Sequence, residues 1–130
     1  MVFDAAPVAM LLLDGRTRVV EVNNTLQKMF GVEKEELLAQ QPGDGLHCAV
    51  SVQSGEGCGL ARECVHCGFR NNVKKVLATG QAVRQVETSA KFLIQGQPVT
   101  VWVELSANPV DINGERHVLV CFNNITERKL

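Results

Sequence analysis

Apolar and polar positions alternate most cleanly toward the end of the chain. Val99, Val101, Val103 and Leu105 fall on one side of an extended segment and Thr100, Trp102, Glu104 and Ser106 on the other. That period of two predicts a strand over residues 99–107 with one buried face. Just before it, Val86, Ala90, Phe92 and Ile94 alternate with Glu87, Ser89 and Lys91, so residues 86–94 are predicted as a neighbouring strand, with Gly96 in the turn between. The pair Asn113-Gly114 predicts a type I′ hairpin leading into a last strand over residues 117–122, because both central residues of that turn need positive φ. Near the start, the apolar run 8–13 closes on Asp14-Gly15 and resumes over residues 18–22, which predicts another hairpin.

The middle of the chain changes period. Asn23, Asn24 and Thr25 offer side-chain oxygens to cap a helix whose apolar residues Leu26, Met29 and Phe30 recur at helical spacing, and Gly31 ends it. Residues 33–40 predict a second short helix with Leu37 and Leu38 inward. Pro42-Gly43-Asp44-Gly45 is expected to break regular structure. Phe69, Val73, Val76 and Leu77 follow the i, i+4, i+7, i+8 spacing of one helix face, with Gly80 as its stop. The order is strand–strand, helices and a loop, one longer helix, then three strands. This predicts an α+β fold, a five-stranded antiparallel sheet with helices packed on one face.

Composition narrows the function classes. The chain of 130 residues is the size of one domain, so residues 1–130 are expected to form a single unit with a real core. A formal net charge of −1 with no basic run argues against nucleic acid as a partner. No apolar run is long enough to cross a bilayer, and no basic region precedes residues 8–13 as a secretory signal would require, so no direct membrane contact is expected. The cysteines number five, an odd count, which points to a reducing, cytoplasmic setting.

Those cysteines add the chemistry. Cys48, Cys58, Cys64 and Cys67 crowd into residues 47–70 with the pattern C-x9-C-x5-C-x2-C. Thiolates are strong soft ligands, and two intervening residues let Cys64 and Cys67 share an ion. Gly55, Gly57 and Gly59 would let the chain bring Cys48 and Cys58 to the same point. Four thiolates suit a closed zinc site, or an iron–sulfur cluster whose lability would make the loop a gas or redox sensor. The alternatives are four small buried apolar residues, a reversible disulfide switch, or a thioredoxin-like oxidoreductase using the C-x2-C pair without metal. Glu63 and the two further cysteines count against a dedicated dithiol catalyst. With no Ser–His–Asp set, phosphate-cradling glycine loop or paired acid–base carboxylates, the chain is not expected to be an enzyme.

Two stretches carry a family resemblance. LLLDGRTRVVEVNNTLQKMFGVEKEELL resembles the first half of a PAS domain, a hairpin running into an Asn-initiated helix, then Phe-Gly and Glu-Glu-Leu. VLVCFNNITERKL resembles the family's D-I-T-E-R-K ending, with Asn124 in place of the Asp. In the family that Asp often caps or pairs near the start of the outgoing helix; Asn keeps the hydrogen bond but not the charge. The cysteine segment also resembles an insertion of some bacterial PAS domains, with a C-x2-C just before the long helix. The resemblance implies a sensory module, the input of a histidine kinase or similar regulator, with a downstream effector domain in a longer chain. It also implies a homodimer, for which the outward Trp102 is the expected anchor.

Family cofactors can be weighed against the residues. The Asn-Cys-Arg-Phe-Leu-Gln motif of light-sensing flavin domains is absent, so no flavin adduct is expected. Gly68 follows the C-x2-C where c-type haem needs His, so that haem is excluded. Haem held by a histidine would need that residue on the long helix's apolar face. His47 and His66 do not lie there and are expected to be solvated, or to support a ligand, and His117 to be exposed. A small-molecule pocket would be lined by Phe30, Leu77, Phe92, Val101 and Val103, which read more simply as a filled core. Cys121, isolated on the last strand, reads as a small buried residue.

Overall fold

The computed structural model describes residues 6–49, 55, 57 and 67–129. Strands β1 (Ala9–Leu13) and β2 (Val19–Val22) form the first hairpin. Its turn is organised by Asp14, whose Oδ1 accepts the backbone N–H groups of Arg16 and Arg18, both at 2.9 Å, while Oδ2 accepts from Arg18 Nε at 3.0 Å. Partial burial pushes the Asp14 pKa up, but those donors and the Arg18 charge outweigh it and hold the carboxyl below its ordinary value.

Among the described residues three short helices follow, α1 (Asn24–Phe30), α2 (Lys34–Leu37) and α3 (Pro42–Gly45), and then the longer α4 (Gly68–Thr79). Asn23 caps α1 as expected, and Gly31 ends it in the left-handed conformation. The expected break at residues 42–45 is instead one helical turn. Pro42 stands at the start of α3, where its missing N–H costs nothing, and a Cβ on Gly45 would press on Leu37 Cδ2 at 2.7 Å, so the glycine lets α3 pack on α2. Helix α4 begins one residue earlier than its apolar periodicity indicates, and Gly80 closes it with φ 72.

Strands β3 (Val83–Ile94), β4 (Gln97–Ile112) and β5 (Glu115–Asn124) complete one five-stranded antiparallel sheet in the order β2-β1-β5-β4-β3. Asn113 and Gly114 take φ of 52 and 82, as the predicted hairpin requires. β4 runs well past its predicted end and through Pro109. Its pairing with β3 stops at Ala107, so Pro109 lies where only β5 flanks the strand and a missing donor is tolerated.

The alternation places Val101, Val103 and Leu105 inward, together with Ala9, Leu11, Leu13, Val118, Val120 and Phe122 from the neighbouring strands. Leu26, Phe30, Leu37, Val73 and Val76 cover this face from the helices. Two expectations need correction. Val99 is in phase with the core but 39% exposed. His117 is buried rather than exposed. β5 begins two residues earlier than predicted, which sets His117 inside the ladder opposite Val110, with Nδ1 3.1 Å from the Glu115 carbonyl.

Candidate functional site

Cys48 is half-buried and forms an isolated antiparallel bridge with Phe92 of β3. Its N–H donates to the Gly43 carbonyl at 2.7 Å, and the carbonyl of His47 accepts from Leu93 N at 2.8 Å. Cys67 is the N-cap of α4. Its Sγ accepts the Arg70 N–H at 3.4 Å, and its carbonyl accepts from Asn71 at 2.9 Å. The N–H donor and the positive end of a twelve-residue helix both favour negative charge on that sulfur. Cys58, Cys64 and His66 lie outside the described residues. Among the described residues, no three His, Cys, Asp or Glu side chains are grouped to hold a metal.

Cys121 stands apart from the expected ligand set. It lies on β5 opposite Met10 and Ser106, and burial pushes its thiol pKa up, which disfavours the thiolate a metal would need. His47 is exposed, with φ 60 and its Nε2 3.8 Å from Glu36 Oε2.

The structure brings the expected pocket residues together in one core. Phe30 meets Phe92 edge-on at a ring-centroid distance of 4.9 Å and Phe122 at 6.1 Å. Val101 and Val103 are buried beside them, and Leu77 packs against the same cluster. A cleft of about 390 Å³ lies at the end of α1, lined by Phe30, Gly31, Val32, His47, Leu93, Gln95 and Gly96. It shares only Phe30 with the expected set. Gly31 and Val32 follow Phe30 directly, whereas His47 and the group Leu93, Gln95 and Gly96 come from distant parts of the chain, and no local pattern announces their meeting.

Two further constellations link the elements around the cysteine segment. Arg70 Nη1 reaches Gln41 Oε1 at 3.4 Å, and Gln41 Nε2 donates to the Arg16 carbonyl at 2.9 Å, which joins the start of α4 to the β1–β2 turn. Gly68 lies so close to β3 that a Cβ there would collide with the Thr88 side chain. The only sequence signal for that contact is a glycine directly after the C-x2-C pair.

The chain leaves the sheet through a compact junction. Ile125 N donates to the Trp102 carbonyl at 2.8 Å, and Trp102 N donates to Thr126 Oγ1 at 3.0 Å. Asn124 Oδ1 accepts from Thr126 N at 3.0 Å and from Thr126 Oγ1 at 2.6 Å, so the amide oxygen supplies the cap that an Asp would. A 3₁₀ turn, Thr126–Lys129, follows.

An antiparallel sheet in the order 2-1-5-4-3, with helices on its inner face and a capped turn where the chain leaves it, defines a single-sheet α+β module. The sequence matches the family described as PAS fold over residues 3–130, and the chain belongs to that family. No curated protein matches it in sequence. Among solved structures it resembles the PAS domain of nitrogen regulation protein NR(II) from Vibrio parahaemolyticus, with 15% identity, 95% of this chain and 94% of that one covered, and a TM-score of 0.62. A PAS domain from a two-component sensor histidine kinase matches at 15% identity over 95% of this chain and 89% of that one, with a TM-score of 0.60. The LOV protein of Rhodobacter sphaeroides matches at 17% identity over 95% of this chain and 63% of that one, with a TM-score of 0.60. At these identities the likeness is one of fold. No helix among the described residues is long and apolar enough to cross a membrane.

Proposed function

We propose that this PAS domain is the sensory input of a cytoplasmic signalling protein of the histidine-kinase type, and that Cys48, Cys58, Cys64 and Cys67 hold a zinc ion or an iron–sulfur cluster as its sensing element. The domain itself is not an enzyme; catalysis would reside in an effector domain of a longer chain. The observation that carries the reading is Cys67 at the N-cap of α4, where helix and backbone donor favour the thiolate a metal requires. The junction at Trp102 and Thr126 supports the signalling half, because it ties the departing chain to the middle of the sheet.

The placement of Cys67 also counts against the oxidoreductase alternative. In thioredoxin-like chemistry the first cysteine of C-x2-C takes the helix N-terminus, and here the second one does. A flavin adduct is not part of the proposal, since the chain lacks the motif that supplies its cysteine.

We further expect a homodimer. Met10, Leu12, Trp102, Leu119 and Cys121 lie on the sheet face away from the helices and are only half-buried, and Val20 is 41% exposed. The ligand set is tested by metal content in single Cys→Ser variants. Each of the four should lose the metal while Cys121→Ser keeps it; full metal content in all four would remove the site.

A further inference from the structure

β3 is the last strand of the sheet, so among the described residues one side of its backbone has no strand beside it. The hydrogen bonds of its neighbour show which residues turn their polar groups that way. Trp102, the ladder partner of Ser89, uses its own groups on the far side of β4. Its N–H donates to Thr126 Oγ1 at 3.0 Å, and its carbonyl accepts from Ile125 N at 2.8 Å. Ser89 and Trp102 are therefore a non-hydrogen-bonded pair, and the N–H and C=O of Ser89 point out from the open edge. Leu93, four residues on and in the same phase, agrees, since its N–H leaves the sheet for the His47 carbonyl at 2.8 Å. Lys91 lies between them in that phase.

This edge has two ends and a centre. An irregularity in the β3–β4 register between Val83 and Val86 closes one end. The contacts of His47 and Cys48 with Leu93 and Phe92 close the other. Ser89 stands midway between Val86 and Phe92. Glu87 and Lys91 stand two residues to either side of it, exposed on one face of the sheet and opposite in charge. Charge on an edge strand ordinarily blocks pairing with another chain. Here it is balanced about a single residue. A two-fold axis through Ser89 sets each Glu87 opposite the other copy's Lys91 and each Thr88 opposite Ala90.

We infer that β3 pairs edge to edge with β3 of a second copy of this chain, antiparallel and centred on Ser89, so that one sheet runs through both domains. The two Ser89 residues exchange both backbone hydrogen bonds, and the Glu87–Lys91 pairs fix the register. A slip of two residues in either direction removes both ion pairs. Glu87 already has a contact within its own chain, and a carboxylate has acceptor sites for a further donor. The paired stretch, residues 87–91, is short, so the association is weak. It is independent of the cysteine site and of the outer-face dimer, and one copy can form both contacts.

The test uses two charge variants that should fail alone and succeed together. In Lys91→Glu the axis sets acid against acid, and in Glu87→Lys base against base, so each should associate at least about fivefold more weakly than wild type. Mixed in equal amounts, they regain both opposite-charge pairs and should associate as well as wild type does. Sedimentation reads the association, and amide exchange at Ser89 reads its place. The Ser89 N–H should exchange freely in dilute protein and gain at least about threefold protection in concentrated protein. Ser89→Pro removes that donor on an edge strand, where proline is tolerated, and should abolish the association. Each measurement is repeated in a Trp102→Ala background, where the edge contact is read without the outer-face dimer.

A mixture no more associated than its separate components overturns the pairing. So does Ser89 exchange that does not change with concentration. Constant protection would mean that the chain itself covers the edge, and constant exposure that any dimer forms elsewhere.

Discussion

Asn23 holds three elements together, and removing its side chain should cost more than a helix cap. It is fully buried, with Oδ1 accepting from Met10 N at 3.0 Å and from Leu26 N at 3.1 Å and Nδ2 donating to the Val8 carbonyl at 2.8 Å. Asn23→Ala loses the cap, worth about 1 kcal/mol. It also strands the Met10 N–H at the start of β1, which costs about 1–3 kcal/mol. Val8 is only half-buried, so its carbonyl can turn to water at little cost. The expected loss is about 3 kcal/mol, or a urea midpoint lower by roughly 1–2 M at unchanged slope. Asn23→Asp separates cap from network: it keeps both accepted bonds and loses only the donor to the Val8 carbonyl, so it should destabilise less than Asn23→Ala. An Asn23→Ala unfolding free energy within about 0.5 kcal/mol of wild type would refute the three-bond account.

Three other outcomes follow from the same structure. Val101→Asp would bury an unpaired charge between Ala90 and the core, so it should unfold the domain; a soluble, cooperatively folding variant would mean the register of β4 is wrong. Asp14 has a lowered pKa in the folded state, so the stability it contributes is present above the ordinary carboxyl pKa and lost as pH falls through the folded value; Asp14→Asn should flatten the wild-type decline below about pH 4 in acid titration. Sedimentation should show dimers that Trp102→Ala weakens by at least about tenfold, whereas a monomer at high concentration would count against the outer face as an interface.

What was legible in the sequence followed from local rules. Period-two alternation gave the inward phase of β4, Asn113-Gly114 gave the hairpin, and Asn23 and Gly31 marked both ends of α1. Misreadings arose where tertiary context overrode a local signal. Pro42-Gly43-Asp44-Gly45 has the composition of a loop, yet proline suits a first helical position and glycine suits the contact with Leu37. The strand predicted to end at residue 107 continues through Pro109, because β4 has lost its β3 neighbour there and a missing donor is tolerated. His117 reads as an exposed residue at the start of a strand, and it is buried because β5 begins two residues earlier, at Glu115.

Site geometry was legible only in part. The spacing of the cysteines announces thiol chemistry, but not that Cys67 caps α4 or that Cys48 is tied to Phe92, since both contacts depend on where β3 lies. The link from Trp102 to Thr126 spans 24 residues, and its partners carry no shared local pattern. The resemblance in the last residues pointed to that region, and Asn124 performs there the capping expected of it.

The most direct test of the account is metal analysis with an absorption spectrum on wild-type protein purified without oxygen. Bound zinc in a colourless protein, or iron and sulfide in a brown one, at about one site per chain and lost on Cys67→Ser, is the result the account predicts. Protein that contains neither, with all five thiols titrating as free under reductant, would contradict it.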